Sequence, residues 1–181
     1  MLLRTISALC LLLSSLVFAP SGPAYAVEIN QFSAGLVCGK NDNATPIRQP
    51  VAERICFETE TIYITGSSTC VFDGYDIPCT WFGFEFEYSD LSDGDTIICE
   101  GTSSQPHTYG NPNEVIAENA TEFEFTLTPE PGAGRFYNPQ YTAFMYRPIG
   151  YGREIRETTC RSGDEELFQF RFEIILPEWA D

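Results

Sequence analysis

The feature that most constrains this chain is a period of two in its aromatic residues. Phe82, Phe84, Phe86 and Tyr88 alternate with Gly83, Glu85 and Glu87, and Phe123, Phe125 and Leu127 alternate with Glu122, Glu124 and Thr126. Phe168, Phe170, Phe172 and Ile174 repeat the pattern against Gln169, Arg171 and Glu173. Successive side chains of a β-strand point to opposite faces, so each segment reads as a strand with one aromatic face buried and one polar face in water. No 3.6-residue period competes with this reading. Residues 27–37, 51–57, 61–72, 96–99, 141–146 and 154–160 fit less regular strands, about nine in all with the first three. Turn residues separate them, as in Ser92-Asp93-Gly94-Asp95, Gly110-Asn111-Pro112-Asn113 and Pro129-Glu130-Pro131-Gly132, and residues 105–114 read as a surface loop. Strands with one polar face pack as two antiparallel sheets rather than as a parallel sheet under helices. The expected fold is therefore all-β, an immunoglobulin-like antiparallel β-sandwich, with a jelly roll as the alternative.

Residues 1–26 read as a secretory signal peptide. Arg4 supplies the positive start, residues 6–18 the apolar stretch, and Ala24-Tyr25-Ala26 the small-x-small cleavage site. The apolar stretch is too short to span a bilayer, and no later one is long enough, so membrane insertion is not expected. Residues 27–181 then form a single β-sandwich domain, secreted or periplasmic. Its six cysteines, Cys38, Cys56, Cys70, Cys79, Cys99 and Cys160, enter an oxidising compartment with an even count and no C-x-x-C pair, which reads as three disulfides. Cys70 and Cys79 flank Asp73-Gly74-Tyr75-Asp76, a hairpin turn signal, so a bridge across that hairpin is the first expectation. Cys38 with Cys56 and Cys99 with Cys160 follow as the next most economical pairs.

Charge narrows the function classes. Residues 27–181 carry 9 basic and 26 acidic side chains, net −17, which disfavours binding to phosphate backbones or anionic lipid. Nucleic acid is excluded on this ground. The acids are unevenly placed: residues 27–130 have net charge −15, residues 131–161 net +3 and residues 162–181 net −5. The basic window is also rich in tyrosine, with Arg135, Tyr137, Tyr141, Tyr146, Arg147, Tyr151 and Arg153 inside 19 residues. Rigid amphipathic rings and planar guanidinium groups dominate binding hot spots, which makes these seven residues the candidate binding surface. Read structurally, the same tyrosines cover a sheet edge and the arginines neutralise acidic strands.

Catalytic and metal chemistry find less support. Any histidine-dependent site must use His107, the only histidine, and Ser103 and Ser104 lie near it without a nucleophile-elbow motif. Glu85 with Glu87, or Glu122 with Glu124, lie on single strand faces and could serve as paired acids. Asp90, Asp93 and Asp95 could ligate calcium, but Asp-Gly is first a hairpin turn, and Asp73 and Asp76 read the same way. Asn43 and Asn119 stand in glycosylation sequons. No cofactor and no metal are expected. The expected function is a non-enzymatic exported sandwich that binds a protein or cell-surface component, with self-association through unlike charged patches included. A small carboxylate-dependent polysaccharide hydrolase and a structural subunit of an extracellular assembly are the alternatives.

Overall fold

A computed structural model describes residues 27–37, 55–111, 114–144 and 152–176. The strands are β1 (Glu28–Val37), β2 (Ile55–Glu58), β3 (Thr61–Tyr63), β4 (Ser68–Phe72), β5 (Tyr75–Leu91), β6 (Ile97–Asn111), β7 (Glu114–Leu127), β8 (Gly132–Ala143), β9 (Arg153–Ser162) and β10 (Glu165–Ile175). They form two five-stranded sheets, and the disulfide-stapled β-sandwich read from the sequence is the architecture observed, antiparallel apart from the β3–β10 pair. Sheet A runs β2-β1-β5-β4 with β8 also on β5, and sheet B runs β3-β10-β9-β6-β7. The ladder partners of β5 place β8 along one of its edges and β4 and β1 end to end along the other, because Cys79 pairs with both Ser68 and Ala143 and Phe82 with both Leu36 and Gln140.

The core is an aromatic seam between β5 and β10. Phe82 meets Phe172 edge-on at 5.1 Å, Phe84 meets Phe170 at 4.7 Å, and Phe86 meets Phe168 at 5.0 Å. Two alternating strands thus interdigitate ring by ring in opposite chain directions. Phe82, Phe84 and Phe86 are fully buried, and burial of each ring contributes about 1.5–3 kcal/mol. Ile97, Cys99, Leu127 and Cys160 close one end of the seam, and Ile62, Ile64, Ile174 and Leu176 close the other.

Two of the expected bridges are formed. Cys70 joins Cys79 across the β4–β5 hairpin, whose turn residues Asp73 and Gly74 both have left-handed φ (50° and 78°). Cys99 joins Cys160 between the directly paired positions of β6 and β9, with Cα atoms 4.0 Å apart. Both bridges lie within a sheet, unlike the inter-sheet bridge of antibody domains. The expected signal peptide, Cys38, the Cys56 side chain and the sequon at Asn43 lie outside the described residues.

The structure corrects several expectations. Residues 105–111, read as loop, belong to β6, where register shifts in its pairing with β7 lie between Thr102 and His107, between His107 and Tyr109, and between Tyr109 and Gly110. Bulges let a strand carry Pro106 and Gly110, which erased the alternation the sequence reading relied on. The run 61–72 is two strands in different sheets, the chain crossing between sheets before and after β3, and β3 pairs with β10 in parallel. Strand β8 begins at Gly132, nine residues earlier than expected. Glu85, read as solvent-facing, is only 4% exposed, since β1 and β8 flank it on both sides.

Candidate functional site

Alternation along β8 sorts its side chains. Phe136 turns inward, 5.5 Å from Phe86, whereas Arg135, Tyr137 and Tyr141 have the opposite parity and share the outer face of sheet A. Register then fixes their neighbours on β5. Arg135 stands opposite Glu87 and donates to it at 2.7 Å, Tyr137 stands opposite Glu85, and Tyr141 stands opposite Trp81 with ring centroids 5.1 Å apart. Between these rings Gly83 leaves a gap, and a Cβ there would lie 2.2 Å from the Asn138 carbonyl oxygen. Glycine is what lets β8 approach β5 at this point.

Tyr141 also ties the face to the stapled hairpin, its hydroxyl donating to the Val71 carbonyl at 3.3 Å. Burial raises the Tyr141 phenol pKa, so the ring stays neutral. The hairpin tip carries Val71, Phe72 and Tyr75, which are 64%, 47% and 72% exposed. The bridge beneath them fixes an apolar projection beside the Tyr141–Trp81 pair. Arg153 is elsewhere, at the start of β9 in sheet B, where it pairs with Glu173 at 2.6 Å. Tyr146, Arg147 and Tyr151 lie outside the described residues. Of the seven sequence-nominated residues, Arg135, Tyr137 and Tyr141 are thus brought together.

A second constellation was missed by the sequence reading. Glu154 and Arg156 share the inward parity of Thr158 and Cys160 on β9, and both are buried. The Arg156 guanidinium grips Glu154 with two donors, Nε to Oε1 and Nη2 to Oε2 (3.2 Å), and the same Nη2 lies 3.3 Å from His107 Nε2. Arginine only donates, so His107 Nε2 accepts and the ring is neutral with its proton on Nδ1. Burial foremost, then the Arg156 charge, lower the His107 pKa to about 4, against the opposing pull of Glu154. Ser103 Oγ donates to Glu154 at 2.9 Å, so the serine is oriented by the carboxylate rather than by the histidine. Tyr109 stacks on Phe123 at 4.0 Å and lies 4.7 Å from His107, with the Arg156 guanidinium 5.5 Å from its ring centre. Burial foremost raises the Tyr109 phenol pKa. The readable signal was parity: the inward face of Cys160 carries Arg156 and Glu154 with it.

The other nominated acids are placed separately. Glu87 is held by Arg135, and Glu122 and Glu124 are exposed on β7. Neither pair lines the two hollows on the β2–β3 side of the sandwich. Asp95 accepts from the Ser92 backbone at 2.9 Å and Ser89 donates to Asp90, so this loop uses its acids to build a turn. Among the described residues no three metal-ligating side chains are gathered. Asn119 is exposed on β7.

No family model matches the chain, and no curated protein matches it. It is similar to the crystal structure of an immunoglobulin-like protein from Pseudomonas aeruginosa, at 16% identity and a TM-score of 0.48, covering 84% of this chain and 99% of the other. That likeness concerns the shape of the chain.

Proposed function

We propose that this protein is an exported, non-enzymatic β-sandwich that binds a protein or cell-surface component through the outer face of sheet A. One observation carries the reading. Arg135, Tyr137 and Tyr141, nominated as recognition residues by composition, share one face with Trp81 next to a disulfide-fixed hairpin that exposes Val71, Phe72 and Tyr75. Aromatic anchors on rigid elements lose little entropy on binding, and the clustered exposure of Val71, Phe72 and Tyr75 at one hairpin tip has no folding benefit. Two buried disulfides fit an oxidising compartment, as the leader sequence implies. A second copy of the chain is one available partner, given the acidic surface elsewhere.

The test is saturable binding of the purified chain to the isolated surface fraction of producing cells, alongside sedimentation to detect self-association. Tyr137→Ser and Arg135→Glu are expected to abolish whichever association is found and to leave the melting temperature within a few degrees. Binding that survives both changes, or a collapse of the melt in both, would count against this face.

A further inference from the structure

We propose that the hollow formed where β2 and β3 meet the 64–67 connection is a binding site for a neutral sugar residue, separate from the outer face of sheet A. It has a volume of about 230 Å³ and is lined by Phe57, Thr61, Tyr63, Thr65, Ser67 and Thr80, among others. Two features of this lining stand out chemically. None of its lining residues is charged, although the whole chain carries 26 acidic side chains. It also combines a few hydroxyl-bearing side chains with two large exposed rings, Phe57 at 63% and Tyr63 at 64%.

The hydroxyls are held in place. Thr80, only 2% exposed, accepts at Oγ from the Thr65 backbone N–H at 2.9 Å and from the Gly66 N–H at 3.3 Å, and so anchors the backbone that carries the Thr65 and Ser67 hydroxyls. Thr65 Oγ donates to Ser67 Oγ at 3.0 Å, which leaves the Ser67 proton and one lone pair. A purely apolar ligand would strip water from the exposed Thr65 and Ser67 hydroxyls without replacing its hydrogen bonds. An anion would meet no counter-charge among the lining residues. A sugar ring satisfies both constraints, because its C–H face packs on an aromatic ring and its hydroxyls pair with hydroxyls. The volume lies below the range of drug-sized ligands and suits a single ring, such as the end of a glycan chain.

Saturation-transfer-difference NMR on the full chain tests this with glucose, galactose, mannose and N-acetylglucosamine as probes and glucuronate as the charged counterpart. Transfer to at least one neutral sugar is expected, and a weaker response from glucuronate. Phe57→Ala and Tyr63→Ala, both at exposed positions, should each weaken the preferred sugar roughly tenfold or more with an unchanged melt. Tyr137→Ser should leave sugar binding intact, which separates this site from the sheet A face. Transfer to none of the neutral sugars would overturn the assignment. So would glucuronate binding as tightly as they do, full binding by both ring variants, or loss of binding in Tyr137→Ser.

Discussion

Glu154 is fully buried and Arg156 is 7% exposed, and the two ions share the core face of β9 with Thr158 and Cys160. Two charges in such a place are tolerable only together, because each alone would lose its hydration without compensation. Arg156→Ala is therefore expected to destabilise the fold by about 3–5 kcal/mol, whereas the double change Glu154→Leu with Arg156→Met should cost far less. Urea unfolding of the three chains measures the difference, and a double loss as large as the single one or larger would show that removing Glu154 brings no relief and would refute the pairing argument. His107 makes the same cluster sensitive to pH. Its pKa is lowered from 6.5 to about 4, so as pH falls between those values the unfolded chain takes up a proton that the folded chain refuses. The stability contributed by the neutral ring is complete above about pH 6.5 and is lost progressively toward pH 4. His107→Gln should flatten the stability profile in that window relative to the parent, and superimposable profiles would refute the cluster's role. The sequence displayed the parity that turns these groups inward. It did not display their convergence, since Ser103 and Glu154 are 51 positions apart.

Among the strands, the β4–β5 hairpin was legible because its turn, its flanking runs and its cysteine pair are all local. The β6–β9 bridge was nominated only by economy. Chain-entropy arguments rank the two bridges: a loop of 61 positions closed by Cys99–Cys160 gives about 4 kcal/mol, and one of 9 positions closed by Cys70–Cys79 gives about 2.5 kcal/mol. Replacing Cys99 and Cys160 together by Ala should thus lower the denaturation midpoint more than the same treatment of Cys70 and Cys79, and the reverse order would point to native-state packing as the dominant effect. Strand β6 shows why other elements escaped the sequence reading. Its last third satisfies its backbone through an irregular ladder with β7, and Gly101 lets the Phe123 ring lie where a Cβ would come within 2.1 Å of it. Such close approaches belong to a pair of strands, so neither strand announces them.

Across the whole molecule the acidic excess opposes compaction. With net charge −16 on the full chain, thermal stability should rise as the Debye length falls from about 30 Å at 0.01 M salt to about 10 Å at 0.1 M. Melts across that sodium chloride range test it, and a flat response would mean that local ion pairs such as Arg135–Glu87 and Arg153–Glu173 already offset the repulsion. The sequence by itself determined the strand class, the inward sets on β5, β7 and β10 and the hairpin staple, because alternation, turn chemistry and short loop closure act over a few residues. Only the tertiary structure decided that Phe82, Phe84 and Phe86 meet Phe172, Phe170 and Phe168, that β1 and β8 bury Glu85, and that Arg135, Tyr137 and Tyr141 share a face while Arg153 joins the other sheet. Those outcomes depend on which strands become neighbours. That choice is made by competition among distant segments to bury the same kinds of aromatic face, and a period of two is identical in all of them.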